Sequence, residues 1–145
     1  MEKITFITNI LSFYLKGEIS CNDNFVKLKK PNTVLLLIPF GAENESIPIN
    51  HISAVSTNFK LDLRMMLYCI LALMISFAFA KNMPIFFILL MLLSVSGIIS
   101  SFKTVLTIQT TSGNPKKVSF IIFEKEKAEN VSSTINKLIS EQNNP

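Results

Sequence analysis

At 145 residues, with a net charge of +4 and only 17% charged residues, the chain has room for one modest domain and too little positive charge for a nucleic-acid binder. Two cysteines (Cys21 and Cys69), one histidine and four glycines argue against a disulfide framework, a metal centre or a glycine-rich phosphate cradle. Abundant Lys, Asn, Ile and Ser suit an AT-rich bacterial genome, and Met1–Leu15 lacks the pattern of a cleavable signal.

In chain order, residues 3–15 place Ile4, Ile7, Ile10, Leu11, Tyr14 and Leu15 on one helical face and Thr5, Thr8, Asn9, Ser12 and Lys16 on the other. This predicts an amphipathic helix, with a first β-strand as the alternative because β-branched and aromatic residues are plentiful. Glu18–Cys21 and Phe25–Lys29 around Asn22-Asp23-Asn24 predict a hairpin with Lys27 and Lys29 on a solvated face. Pro31-Asn32 reads as a break, Thr33–Pro39 as a buried strand, Gly41–Ser46 as a loop and Ile47–Asn58 as a further strand.

Met65–Ala80 and Met83–Ser100 then carry no charge and are separated only by Lys81 and Asn82. A membrane span needs about 20 apolar residues, so both are a little short, but Arg64, Lys81 and Lys103 can serve as interface anchors by snorkelling. The expectation is a transmembrane hairpin over residues 64–101, with a shallow re-entrant hairpin as the alternative. Neither segment has a polar face, which argues against two helices buried in a water-facing core. Lys60, Arg64, Lys103, Lys116 and Lys117 oppose Lys81 alone, which predicts cytoplasmic termini of a multi-pass protein of the bacterial inner membrane. Ser96, Gly97 and Ser100 allow close helix packing or a homo-oligomer seam.

Lys103–Thr111 and Lys116–Phe123 predict two strands about the turn Ser112-Gly113-Asn114-Pro115. Glu124–Gln142 predicts a helix with Ala128, Val131, Ile135, Leu138 and Ile139 on its apolar face. Neither residues 1–63 nor residues 102–145 close a core alone, since a lone two-stranded hairpin is marginal in water. The two segments are therefore expected to form one cytoplasmic domain that the hairpin interrupts.

Ile49–Val55, Leu106–Lys117 and Val131–Ile139 together resemble bacterial pleckstrin-homology-like domains, in particular small two-span proteins whose membrane hairpin interrupts the domain. The closing helix departs from that pattern in having no Trp. The resemblance implies an α+β membrane protein: an antiparallel PH-like sheet or partial barrel, closed by a C-terminal helix, acting as an adaptor without catalytic residues.

The residues themselves suggest little chemistry. His51 has no dyad spacing to Glu43, Glu45 or Asp62, and no nucleophile elbow or paired Cys motif occurs. No catalytic, cofactor or metal site is expected. Lys27, Lys29, Lys30, Lys116 and Lys117 are candidate contacts to anionic lipid headgroups, against the alternative of solvated turns. The expected function is a non-enzymatic, membrane-anchored adaptor that binds the lipid bilayer and a protein partner, but no nucleic acid. The alternatives are a small immunity or inhibitor protein or envelope subunit acting through its spans, and an anionic-lipid binding module.

Overall fold

A computed structural model describes residues 2–10, 13–34 and 38–144. Its elements are β1 (Glu2–Ile7), β2 (Lys16–Cys21), β3 (Phe25–Val34), β4 (Ile38–Pro48), β5 (Ile52–Leu61), α1 (Leu63–Phe79), α2 (Pro84–Ser100), β6 (Phe102–Thr110), β7 (Lys116–Ile121) and α3 (Lys125–Asn143). Short 3-10 turns at Ile49–His51 and Ile122–Glu124 separate β4 from β5 and β7 from α3. The antiparallel strands make two sheets, β1-β2-β3-β4 and β5-β6-β7.

Where a helix over residues 3–15 was expected, Glu2–Ile7 is a strand. Ile4 and Phe6 alternate inward onto the core, and β1 pairs with β2 from Glu2↔Cys21 to Ile7↔Lys16. Sheet pairing overrides a helical spacing built largely from β-branched and aromatic residues, which favour a pleated surface. Leu11, on the proposed helical face, and Ser12, opposite it, lie outside the described residues.

Four further strand expectations change. Ile47–Asn58 is not one strand, since the 3-10 turn Ile49–His51 separates β4 from β5. Pro31 does not end β3; the pairing continues through a register shift between Pro31 and Thr33, where a bulge accommodates a residue that cannot donate to the ladder. Residues 41–46 are strand rather than loop, because β4 pairs Ala42–Ser46 with Lys27–Pro31. Of the stretch read as a buried strand, Ile38 and Pro39 are exposed, and residues 35–37 lie outside the described set.

The sheets face each other across one core of Phe6, Ile19, Val26, Leu28, Ile49, Leu106, Ile108, Val118 and Phe120. Phe6 and Phe120 stack across the two sheets with ring centroids 4.6 Å apart. Gly17, opposite Phe6 in the ladder, is required there: a Cβ would fall inside the Phe6 ring. β7 runs across the first sheet, from Phe6 of β1 at Phe120 to the Lys30 side chain of β3, which donates to the Lys117 carbonyl at 2.6 Å. α3 closes the core with Ala128, Val131 and Ile135, the face read from its periodicity, and with Leu138 and Ile139 packed alongside. Its start is fixed by Glu124, whose carboxylate accepts from the Ile7 N–H at 2.6 Å and from Lys127 Nζ at 2.5 Å.

α1 and α2 are inserted between β5 and β6, which pair along their whole length from Ile52↔Thr110 to Leu61↔Phe102. Here the transmembrane expectation is corrected. Ala80 and Met83 fall outside regular helix, and α1 begins before its uncharged run, at Leu63, so each helix has 17 residues. At a rise of 1.5 Å per residue that is about 25 Å, against roughly 30 Å of hydrocarbon. Among the described residues no helix is long and apolar enough to cross a membrane. The expected multi-pass topology, inner-membrane location and cytoplasmic termini lose their basis with it. The fold class is accordingly α+β, with two sheets and three α-helices among the described residues, rather than one partial barrel split by membrane spans.

Two outcomes follow from this architecture. Joining Leu61 to Phe102 through an Asn-Gly turn in place of residues 62–101 is expected to leave a cooperatively folding β-rich protein, because the ladder already brings those residues opposite each other. Loss of cooperative thermal unfolding by circular dichroism would show that the hairpin is required for the fold. Glu124→Ala leaves the Ile7 N–H without its carboxylate and is expected to lower stability by about 1–3 kcal/mol in a urea titration.

Candidate functional site

The helical hairpin is arranged inside out relative to helices that face water. Its buried positions are small: Ser76 on α1, and Ser94, Gly97 and Ser100 on α2. Its large apolar residues point outward, among them Leu67, Leu71 and Met74 on α1 and Ile85, Leu89 and Leu92 on α2. Ser76 and Ser94 satisfy themselves locally. Ser76 donates to the Leu73 carbonyl at 2.6 Å and Ser94 to the Leu90 carbonyl at 2.7 Å. A Cβ on Gly97 would overlap the Cys69 sulfur, so only glycine lets the helices approach this closely at that level.

The ends of both helices are set by sequence. Asp62 caps α1, its carboxylate accepting from the Met65 N–H at 3.3 Å, and Pro84 opens α2, where its missing donor costs nothing. At the base the Asp62 N–H bonds the Ser101 carbonyl at 2.9 Å, continuing the β5–β6 ladder into the helices. The Ile10 N–H reaches Ser100 Oγ at 3.3 Å, so the chain after β1 is tied to the same base.

Around that base lie aromatic and basic side chains. Phe59 and Phe102 pair at 6.2 Å between ring centroids, and Phe13 and Tyr14, a few residues beyond Ile10, are exposed. Lys60 stands opposite Lys103 in the ladder, and Arg64 is exposed in the first turn of α1. Asp62 lies 3.7 Å from Lys103 and leaves Lys60 and Arg64 as the uncompensated charges there. Of the three anchors named from sequence, Arg64 and Lys103 share the base, whereas Lys81 is exposed at the far turn.

The five candidate headgroup lysines do not form one cluster. Lys27 and Lys29 point outward from β3, on the face opposite the core residues Val26 and Leu28. Lys30 is used to hold β7, and Lys116 pairs with Glu45 at 2.6 Å. The Glu45 carboxylate hydrogen-bonds the Lys116 ammonium and holds its pKa above the usual lysine value. Lys117 is exposed beside it. Two of the five thus serve inter-sheet contacts that sequence spacing does not reveal.

No catalytic constellation assembles from the residues considered. His51 is exposed on the turn between β4 and β5, where its carbonyl accepts from the Thr111 N–H at 2.9 Å. Glu45 is engaged by Lys116 and Asp62 caps α1. Among the described residues no group of His, Cys, Asp or Glu is placed to hold a metal ion. Cys21 is buried, and burial with the nearby Glu2 charge pushes its thiol up to about 11.

No family model, curated protein or solved structure matches this chain. The resemblance to pleckstrin-homology-like domains is therefore withdrawn along with the membrane-spanning hairpin. It rested on Ile49–Val55, Leu106–Lys117 and Val131–Ile139, and patterns of apolar and turn residues of that kind recur in many antiparallel sheets. Ile49 itself sits in a 3-10 turn rather than in the strand the pattern required.

Two measurements probe these contacts. Gly97→Leu forces the helices apart and is expected to raise the rate of Cys69 modification by a small thiol reagent several-fold, roughly the effect of opening a packed seam. The raised Cys21 thiol favours the neutral form in the folded state, so its stabilising contribution is complete below the unfolded value of 9.0 and is lost as pH rises through about 11. Thermal unfolding of the parent should accordingly lose stability over that window faster than Cys21→Ala.

Proposed function

We propose that the chain is a non-enzymatic binding protein held at a lipid bilayer by its apolar hairpin, which enters lipid from one side without either helix crossing. The inverted hairpin carries this reading: small polar side chains between the helices, large apolar ones outward on both. A protein groove would cover one side of such a hairpin, whereas hydrocarbon covers every side. Exposed apolar area on this scale is not left to water in ordinary monomers. The base supports the same reading, since Phe13, Tyr14 and Phe59 suit an interface between lipid and water, and Lys60 and Arg64 suit anionic headgroups.

In this reading the β-structure is presented beside the bilayer to a protein partner. The edge strand β4 favours that role, because it is exposed from Ile38 to Asn44 and borders only β3 in its sheet. An extended segment of a partner could add to such an edge by main-chain hydrogen bonds.

Vesicle flotation tests the lipid contact. The full chain, exchanged from mild detergent into phosphatidylcholine vesicles, is expected to float, and a fluorophore on Leu92→Cys in a Cys69→Ala background should be quenched by brominated acyl chains. A full chain that remains at the bottom, or an unquenched label, overturns the proposal. Adding anionic lipid should strengthen binding, and replacing Lys60 and Arg64 by Gln should remove about 1 kcal/mol per charge of that gain.

A further inference from the structure

We infer a second binding site, for a phosphomonoester, on the outer face of the first sheet. It does not rest on the lipid reading. The register of β1, β2, β3 and β4 sets Lys3, Ser20, Lys27 and Ser46 side by side in one cross-strand row. The neighbouring row on the same face carries Glu18, Lys29 and Asn44. Residues directly opposite in adjacent antiparallel strands lie about 5 Å apart, so each row brings its polar groups within reach of one small ligand. These residues line a depression of about 370 Å3.

Charge and hydrogen bonding define what the depression would take. Glu18 is neutralised by Lys3 at 3.2 Å. Glu45, paired with the core residue Leu28 in the register, also borders the depression; its Oε1 is held by Lys116 at 2.6 Å, and its buried Oε2 has no hydrogen-bond partner. Lys27 and Lys29 are left without an acidic partner among the described residues, giving two uncompensated positive charges on one wall. Between Lys3 and Lys27, Ser20 Oγ is buried and has no hydrogen-bond partner. Orphaned buried hydroxyls are uncommon in folded proteins. A tetrahedral dianion satisfies Ser20, Lys27 and Lys29 together: its oxygens accept from Ser20 Oγ and the Lys27 and Lys29 ammoniums, and its two charges match theirs. A phosphodiester brings one charge and a second substituent, and a carboxylate one charge in a plane.

The phosphomonoester could be a soluble metabolite or the headgroup of phosphatidic acid, and the test separates the two. The full chain in mild detergent is titrated with glycerol 3-phosphate by calorimetry, and separately with phosphatidylcholine vesicles that contain phosphatidic acid or phosphatidylglycerol. Saturable binding of glycerol 3-phosphate supports a soluble ligand. A preference for phosphatidic acid over phosphatidylglycerol, abolished by Lys27→Gln but without soluble binding, supports the headgroup. In either arm Lys27→Gln and Ser20→Ala are each expected to weaken binding by roughly tenfold, with Lys27→Arg retaining most of it. Lys125→Gln, a change of equal charge on α3, should have no effect. No binding in either arm, or equal weakening by Lys27→Gln and Lys125→Gln, overturns the inference. Flotation on phosphatidylcholine alone reports the hairpin contact independently.

Discussion

The β5–β6 ladder is the contact on which the rest of the molecule depends. It joins the chain before the hairpin to the chain after it, running from Ile52↔Thr110 to Leu61↔Phe102, and the Asp62–Ser101 hydrogen bond extends it to the start of the helices. Without it β5 would have no neighbour in its sheet, and β6 and β7 would be a two-stranded ribbon, which is marginal alone. With it the second sheet has three strands, enough to cover Phe6, Ile19 and Leu28 of the first and to receive α3. The hairpin insertion is tolerated because it occurs at the end of a ladder, where two strands need a connection of any length.

The molecule manages apolar surface in two opposite ways. In the β-structure large side chains turn inward and Lys, Ser and Glu turn outward, the pattern water imposes. In the hairpin the pattern reverses, with Ser and Gly between the helices and Leu, Ile, Met and Phe outside. The hydrogen bonds of Ser76 and Ser94 to carbonyls one turn back mean that neither serine needs a partner from the other helix. The change of pattern falls at Asp62 and Ser101, where charged and aromatic residues also gather.

The polar contacts divide between structure and surface in a way that charge alone does not reveal. Lys30 and Lys116 tie the first sheet to β7, and Glu124 ties β1 to α3. Lys27 and Lys29, next to Lys30 in the chain, instead face away from the core, because strand residues alternate between faces. Neighbours in sequence thus have different physical roles, decided by whether the side chain points at another sheet.

The sequence by itself determined the two uncharged segments, the turn between them, the strands on either side of Ser112–Pro115 and the apolar face of the closing helix, because each is a local pattern of hydropathy or turn residues. It also suggested that the flanking segments complete one another. It did not decide whether residues 3–15 were helix or strand, since the spacing of Ile4, Ile7 and Ile10 is helical while the β-branched and aromatic composition favours a strand, and the choice belongs to the pairing with β2. Helix length was likewise beyond it: an uncharged run records where charges stop, whereas Ala80 and Met83 leave the helix because the turn needs them. The row of Lys3, Ser20, Lys27 and Ser46 has no sequence signature, because its members come from four strands and meet only through register. Local patterns are written along the chain; strand partners, and the sites they assemble, are fixed only when distant segments pack.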